Sequence, residues 1–274
     1  MRKLILILFI ILSCVSLANS GGVISFPGGG VPSAATTYPD IIFWMNGEGA
    51  WTTDPTDLYT LGASECTALA GAAAACAITG LFTEVTADGE IIGDSSFKAL
   101  NAYDRCLFAE TTLPAAAGRI GIDTNFLSAG VNNTHIWTFY QNNPDSNFSL
   151  RHSGTPADDI TVIWREGGAD IKAIATAVNT FDDTTHYVEV AWDTDNGAGS
   201  DCLALYVDGL VVGSVDCTLT LDGTITYDAF YVGNVLTGTG TTLMDNLIIS
   251  NDYTREIYNS GLHDDLAKPA GACP

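Results

Sequence analysis

Three acids stand on alternate positions of a β-patterned run, Glu189-x-Ala191-x-Asp193-x-Asp195, so their carboxylates share one face of a strand. Two carboxylates flanking one bond are the apparatus of glycoside hydrolysis. Glu189 and Asp193 would stand about 13 Å apart at ~3.3 Å per residue, beyond the roughly 5 to 9.5 Å that retaining and inverting mechanisms use. The position between them is Ala191, not an acid. The four histidines, His135, His152, His186 and His263, are scattered along the chain. No Gly-x-Ser-x-Gly, His-Glu-x-x-His, phosphate loop or dinucleotide fingerprint occurs, so the common nucleophile, zinc and phosphate devices are missing. The expectation is a protein that is not an enzyme.

Aromatic spacing suggests binding instead. Trp137 and Phe139 share a face of their strand with His135, and Trp164 shares one with Val162 and Ile160. Rings beside polar groups recognise the apolar face of a sugar, which makes Trp137, Phe139 and Trp164 the candidate ligand-binding residues. The same spacing also serves a core. Asp193-Thr194-Asp195-Asn196-Gly197 resembles the start of a calcium loop, but Gly197 takes the fifth position and no Glu follows at the twelfth. A solvated hairpin loop is expected there.

Seven cysteines become six once Cys14 leaves with the leader or is lipidated: Cys66, Cys76, Cys106, Cys202, Cys217 and Cys273. An even set in an exported chain reads as disulfides, and none has the short paired spacing of a zinc site. Cys202 and Cys217 bracket Asp208-Gly209, a strong hairpin signal. A strict two-residue turn pairs Val207 with Leu210 and sets Cys202 opposite Val215. An enlarged turn or a bulge shifts the register and sets Cys202 opposite Cys217. A Cys66–Cys76 bridge would then leave Cys106 to hold Cys273.

The elements that must position these residues are strands. Arg2 and Lys3, the apolar run Leu4 to Leu12 and the small residues to Ser20 make residues 1–20 a secretory signal peptide, too short to span a bilayer. Cleavage near Ala18 or Ser20 gives a secreted protein. The alternative is a lipid anchor at Cys14, because Ile11-Leu12-Ser13-Cys14 also resembles a bacterial lipobox, and the protein is then held to the bacterial envelope. No transmembrane segment is expected. Residues 21–39, rich in Gly, Pro, Ser and Thr, read as a flexible linker, 40–259 as the folded domain and 260–274 as a C-terminal tail. The chain carries 10 Lys and Arg against 32 Asp and Glu, a net charge of −22. Polyanions are repelled, so nucleic acid is not an expected partner.

From Asp40 the chain runs in short β-rich segments separated by Gly, Asp and Asn clusters. Those segments are 41–44, 118–126, 135–141, 147–152, 160–166, 171–177, 186–192, 202–207, 211–217, 229–232 and 243–250. The exception is the alanine-rich stretch 61–77, read as a surface excursion with one or two helical turns. The fold class expected is all-β, a two-sheet antiparallel sandwich.

The stretch His186-Tyr187-Val188-Glu189-Val190-Ala191-Trp192-Asp193, followed by Tyr206-Val207-Asp208-Gly209, Phe230-Tyr231-Val232-Gly233-Asn234 and Met244-Asp245-Asn246-Leu247-Ile248-Ile249-Ser250, resembles laminin-G-like jelly rolls of the concanavalin A-like superfamily. The resemblance covers roughly residues 118 to 258. It implies two stacked antiparallel sheets, one curved, with ligands at the rim or on the concave face. Glycan hydrolases of that superfamily carry a Glu-x-Asp-x-Glu strand, which this chain lacks. It also implies a structural calcium where the terminal strands lie side by side, with Glu48 and Asp245 as the metal ligands. The function expected is a non-catalytic extracellular recognition module that binds a glycan or a surface protein. The alternatives are a structural or assembly protein of a coat or filament, and a polysaccharide-active enzyme.

Overall fold

Alternation along the strands sets the architecture. In the run 187–192, Val188, Val190 and Trp192 are fully buried on one face, while Tyr187, Glu189 and Ala191 lie on the other. The computed structural model describes residues 37–45, 52–53, 58–60, 75–79, 83–85, 96–99, 103–108, 111–112, 115–126, 134–142, 145–154, 158–176, 184–234 and 241–264, all of them within the unit Thr36–Pro274.

In chain order the strands begin with β1 (Ile41–Met45), β2 (Thr52–Thr53), β3 (Leu58–Thr60), β4 (Ala75–Thr79), β5 (Thr83–Val85), β6 (Ser96–Ala99) and β7 (Arg105–Phe108). They continue with β8 (Thr111–Thr112), β9 (Ala117–Phe126), β10 (Thr134–Gln141), β11 (Ser146–Gly154), β12 (Asp158–Glu166) and β13 (Ala169–Ala175). The remainder are β14 (His186–Asp193), β15 (Asp201–Val207), β16 (Leu210–Val211), β17 (Asp216–Leu219), β18 (Thr226–Tyr227), β19 (Ala229–Gly233) and β20 (Thr242–Ser250). One 3-10 turn follows at Leu262–Asp264. Residues 75–77, the end of the alanine-rich stretch read as a surface excursion, belong to strand β4. The β-branched Ile78 and Thr79 that follow them in the sequence favour a strand over a helix.

The first sheet runs β16-β15-β14-β9-β20-β6-β5, with β1 also on β20 and β17 also on β15. The second runs β13-β12-β11-β10-β19-β7-β4-β3-β2, and β18 pairs with β8 apart from both. The pairings are antiparallel, so the molecule is a two-sheet sandwich as expected. Among the described residues no helix is long and apolar enough to cross a membrane.

Rings from the two sheets meet between them. Trp192 of the first sheet lies 5.6 Å from Phe148 of the second, and Phe43 lies 5.6 Å from Phe108. Phe139 packs on Phe230 at 4.4 Å and Trp164 on Phe148 at 4.7 Å. Edge-to-face and offset ring pairs of this kind add about 0.5 to 1.5 kcal/mol each beyond their buried area. Trp137, Phe139 and Trp164, expected as ligand-binding rings, are all fully buried in this core and offer no face to a ligand. The physical reason is the alternation itself: apolar positions of both sheets turn inward, and the polar residues between them turn outward.

The hairpin after β15 resolves the cysteine register. Val207 pairs with Leu210, and Asp208 and Gly209 both have positive φ, 50° and 75°, which is the tight two-residue turn that matches strand twist. Extra residues enter later, at 212–215 around Gly213, where φ is 72°. Beyond them Leu203 pairs with Asp216, and Cys202 is bonded to Cys217. The strand expected over 211–217 is therefore two strands, β16 and β17, with the slip between them. Cys106 is also disulfide-bonded. Cys66, Cys273 and the side chain of Cys76 lie outside the described residues, as do Cys14 and the leader.

A bond closing a loop with a sequence separation of 15 stabilises by roughly 3 kcal/mol in the chain-entropy model. Replacing Cys202 and Cys217 together by Ser should lower the unfolding free energy by about that amount in denaturant titration. An unchanged midpoint would mean that this bridge adds nothing to the fold.

Candidate functional site

A bulge in β10 makes the site. His135 pairs with Arg151 of β11, but the register shifts before Trp137 pairs with Leu150. One extra residue in one strand reverses the sense of alternation. His135 thus leaves the face of Trp137 and Phe139, which it was expected to share. Its Nδ1 instead lies 2.6 Å from the hydroxyl of Thr138 on the outer face of the second sheet. There a depression of about 370 Å³ is lined by His135, Thr138, Tyr140, Asn142, Asp145, Asn147 and Arg165.

Five lining residues stand on strands, and Asn142 and Asp145 lie in the turn between β10 and β11. Thr138 and Tyr140 come from β10, opposite Ser149 and Asn147 of β11, and Arg165 of β12 stands opposite Asn147. The Tyr140 hydroxyl donates to Asn142 Oδ1 at 3.1 Å. Arg165 donates to Asp170 at 2.6 Å and to Asp145 at 3.3 Å. His135 Nε2 has no hydrogen-bond partner among the described residues. Burial, and then the charge of Arg151, hold the ring's pKa down to about 4, so it is neutral at pH 7.

The same face carries a band of rings and cations. Arg105 of β7 lies over the Tyr231 ring at 4.3 Å, and Tyr231 lies 6.4 Å from Tyr140. Arg105, Arg151 and Arg165 are three of the six arginines in the chain. The face therefore offers hydroxyls, amides, guanidinium forks and ring faces, the groups that hold a sugar. Among the described residues that line the depression the carboxylate is Asp145, with Asp170 beside it on Arg165 and Asp228 accepting the Asn142 N–H at 2.8 Å. Sequence reasoning named the rings and missed the residues between them. The signal was present, because Thr138, Tyr140, Asn147 and Arg165 are the outward alternates of Phe139, Phe148 and Trp164.

The acids singled out from the sequence serve the outer face of the first sheet. Glu189 is buried and paired with Arg119 at 2.9 Å, and it accepts the backbone N–H groups of Ile257 at 3.3 Å and Tyr258 at 2.9 Å. It fastens the segment after β20 to the sheet. His186 is held at its Nδ1 by Asp208 at 2.7 Å, a structural contact beside the hairpin turn.

Asp245, the expected calcium ligand, is buried on β20 and accepts from Ser96 Oγ at 3.0 Å and from its neighbour's N–H at 2.8 Å. Its partner expected at Glu48 lies outside the described residues. Across the sheet Asp245 is in register with Asp123, whose buried Oδ2 has no hydrogen-bond partner among the described residues. Burial, then the charge of Asp245 and those of Asp264 and Asp208, push Asp123 up to about 9. Among the described residues no three His, Cys, Asp or Glu side chains converge on one point as metal ligands.

The Asp123 shift has a definite sign. Below the ordinary carboxyl value of 3.8 both folded and unfolded forms are protonated and the pair costs nothing. Between 3.8 and about 9 the unfolded chain is ionised while the folded one keeps its proton, so stability falls as pH rises, by at most about 1.4 kcal/mol per pH unit. With a chelator present, Asp123→Asn should melt higher than wild type at pH 8, and by a smaller margin at pH 5. Equal margins at the two pH values would show that the charge of Asp123 is not what the fold works against.

No protein-family model matches the chain, and no curated protein sequence matches it. Solved structures do. The receptor-binding domain of botulinum neurotoxin type G superposes with a TM-score of 0.53 at 11% identity, covering 82% of this chain and 51% of that one. The ligand-binding domain of botulinum neurotoxin serotype D, solved with N-acetylneuraminic acid, gives 0.52 at 8% identity, with 83% and 51% covered. A Trypanosoma rangeli sialidase in complex with a difluorinated KDN sugar gives 0.54 at 11% identity, with 88% and 35% covered. The chain thus spans about half the length of these neurotoxin domains and about a third of the sialidase. At such identities the likeness is one of fold, and that fold is a β-sandwich.

Proposed function

We propose that this chain is an exported, non-catalytic glycan-recognition module built on a laminin-G-like, concanavalin A-like sandwich. The observation that carries the reading is the depression on the outer face of the second sheet, where strands hold His135, Thr138, Tyr140, Asn147 and Arg165 and the β10–β11 turn adds Asn142 and Asp145. Two of the solved structures that share the fold hold acidic sugars, which supports a glycan as the ligand class. Recognition without turnover is supported by the engagement of both nearby carboxylates, Asp145 and Asp170, with Arg165. Probing a glycan array with the purified protein tests the reading. Retention of a glycan family, lost in Tyr140→Ser, is the expected outcome. Retention of none, or release of sugar from a polysaccharide on incubation, would sink it.

Calcium at Asp245 is part of this proposal, supported by the orphaned buried oxygen of Asp123 across the sheet, whose charge a divalent cation would neutralise. An ion bound only by the native state adds about 2.7 kcal/mol at a hundredfold excess over Kd. Chelation should accordingly lower the melting temperature of wild type, and Asp245→Ala should remove that response. A wild-type melt indifferent to calcium counts against the site.

A further inference from the structure

The proposed function leaves one cation of that face unexplained. Arg151 lies on β11 in register with His135, is partly buried, and makes no hydrogen bond or ion pair among the described residues. Its neighbour Arg165 is already held between Asp145 and Asp170. Asp170 acts on Arg151 only through its charge, without contact; a guanidinium drawn partly out of water without a bonded anion is costly, and its planar fork matches a carboxylate or a sulfate with two parallel hydrogen bonds. The rest of the molecule works against any such ligand, because a net charge of −22 repels anions at long range. An anion held here is therefore held by contact, on a face where half of the chain's arginines have been gathered.

Resting on the glycan reading, we infer that the depression takes an acidic sugar whose carboxylate or sulfate reaches past the His135 edge to Arg151, which stands in register with His135 on the neighbouring strand and is not itself one of the lining residues. Tyr140 lies beside the ring of that sugar, and the strand-borne hydroxyl and amide groups of Thr138 and Asn147 bind its hydroxyls.

Titration calorimetry with matched sugars tests this. Digalacturonate against galactobiose isolates a carboxylate, and lactose 3′-sulfate against lactose isolates a sulfate. At least one acidic member should bind about tenfold or more tightly than its neutral parent. Arg151→Gln should erase that difference and leave the affinity for the parent unchanged. The arm that responds tells carboxylate from sulfate. Tyr140→Ser, with Arg151 in place, should weaken the acidic and neutral members together. If Arg151→Gln does not fold by circular dichroism, Arg151→Lys replaces it, keeping the charge, losing the fork and retaining only part of the preference. Neutral parents that bind as tightly as the acids, or an acidic preference that survives the loss of Arg151, overturn the inference and leave the glycan reading standing. Binding of none of the four sugars also overturns it, whereas glycans retained on the array keep the wider reading.

Discussion

The ion pair of Arg119 and Glu189 constrains everything on the outer face of the first sheet. Both side chains are almost fully withdrawn from water, at 5% and 1% exposure. Removing a carboxylate and a guanidinium from solvent costs several kcal/mol per ion, which their attraction offsets only when the remaining hydrogen-bonding capacity is filled. On the carboxylate side it is filled by the N–H groups of Ile257 and Tyr258, while the guanidinium lies over the Tyr206 ring at 4.5 Å and its Nε has no partner among the described residues. The segment after β20 must therefore dock for the sheet to tolerate its own charges. That docking in turn buries Ile257 and Leu262.

The two sheets divide the work by parity. Inward positions supply Trp137, Phe139, Phe148, Trp164 and Trp192, which fill the space between the sheets. Outward positions of the second sheet supply the polar lining of the depression. Because neighbouring residues of a strand face opposite ways, core and candidate site are interleaved one residue apart. The rigidity of the site is thus a property of the core beneath it, and a substitution that loosens Phe148 is felt at Asn147 and Ser149.

Much of the fold was legible in the sequence because the signals were local. Alternation in 187–192, the apolar run at 41–44 and the Asp208-Gly209 turn each carry their own physical cause, and all three stand in the structure. What was not legible depended on distant partners. Nothing near His135 announces a bulge, since the shift is defined against Arg151 and Leu150 on another strand. The slip at 212–215 likewise exists only relative to β15, although the cysteine pair hinted at it. Glu189 read as a member of an acid row, because its true partners, Arg119 and the backbone at 257–258, lie 70 and about as many residues away along the chain. The aromatic positions were correctly located but wrongly faced, since spacing reports that residues share a side without reporting which side is solvent.

The place of β1 has a further consequence, for folding kinetics. Phe43 and Trp44 pair with Ile249 and Ile248, and Asp40 receives both arms of the Arg255 guanidinium at 2.6 and 2.7 Å. Among the described residues the strand that pairs with β1 is β20, so β1 waits for it. Closing so long a loop is entropically slow, and no N-terminal fragment of the chain can complete the first sheet. Until the C-terminal strand arrives, Ile41–Met45 is an apolar edge with nothing beside it, open to another nascent chain. The fold is secured by its ends, so the hazard of misassembly is greatest while synthesis is incomplete and disappears in one step when the last strand is delivered.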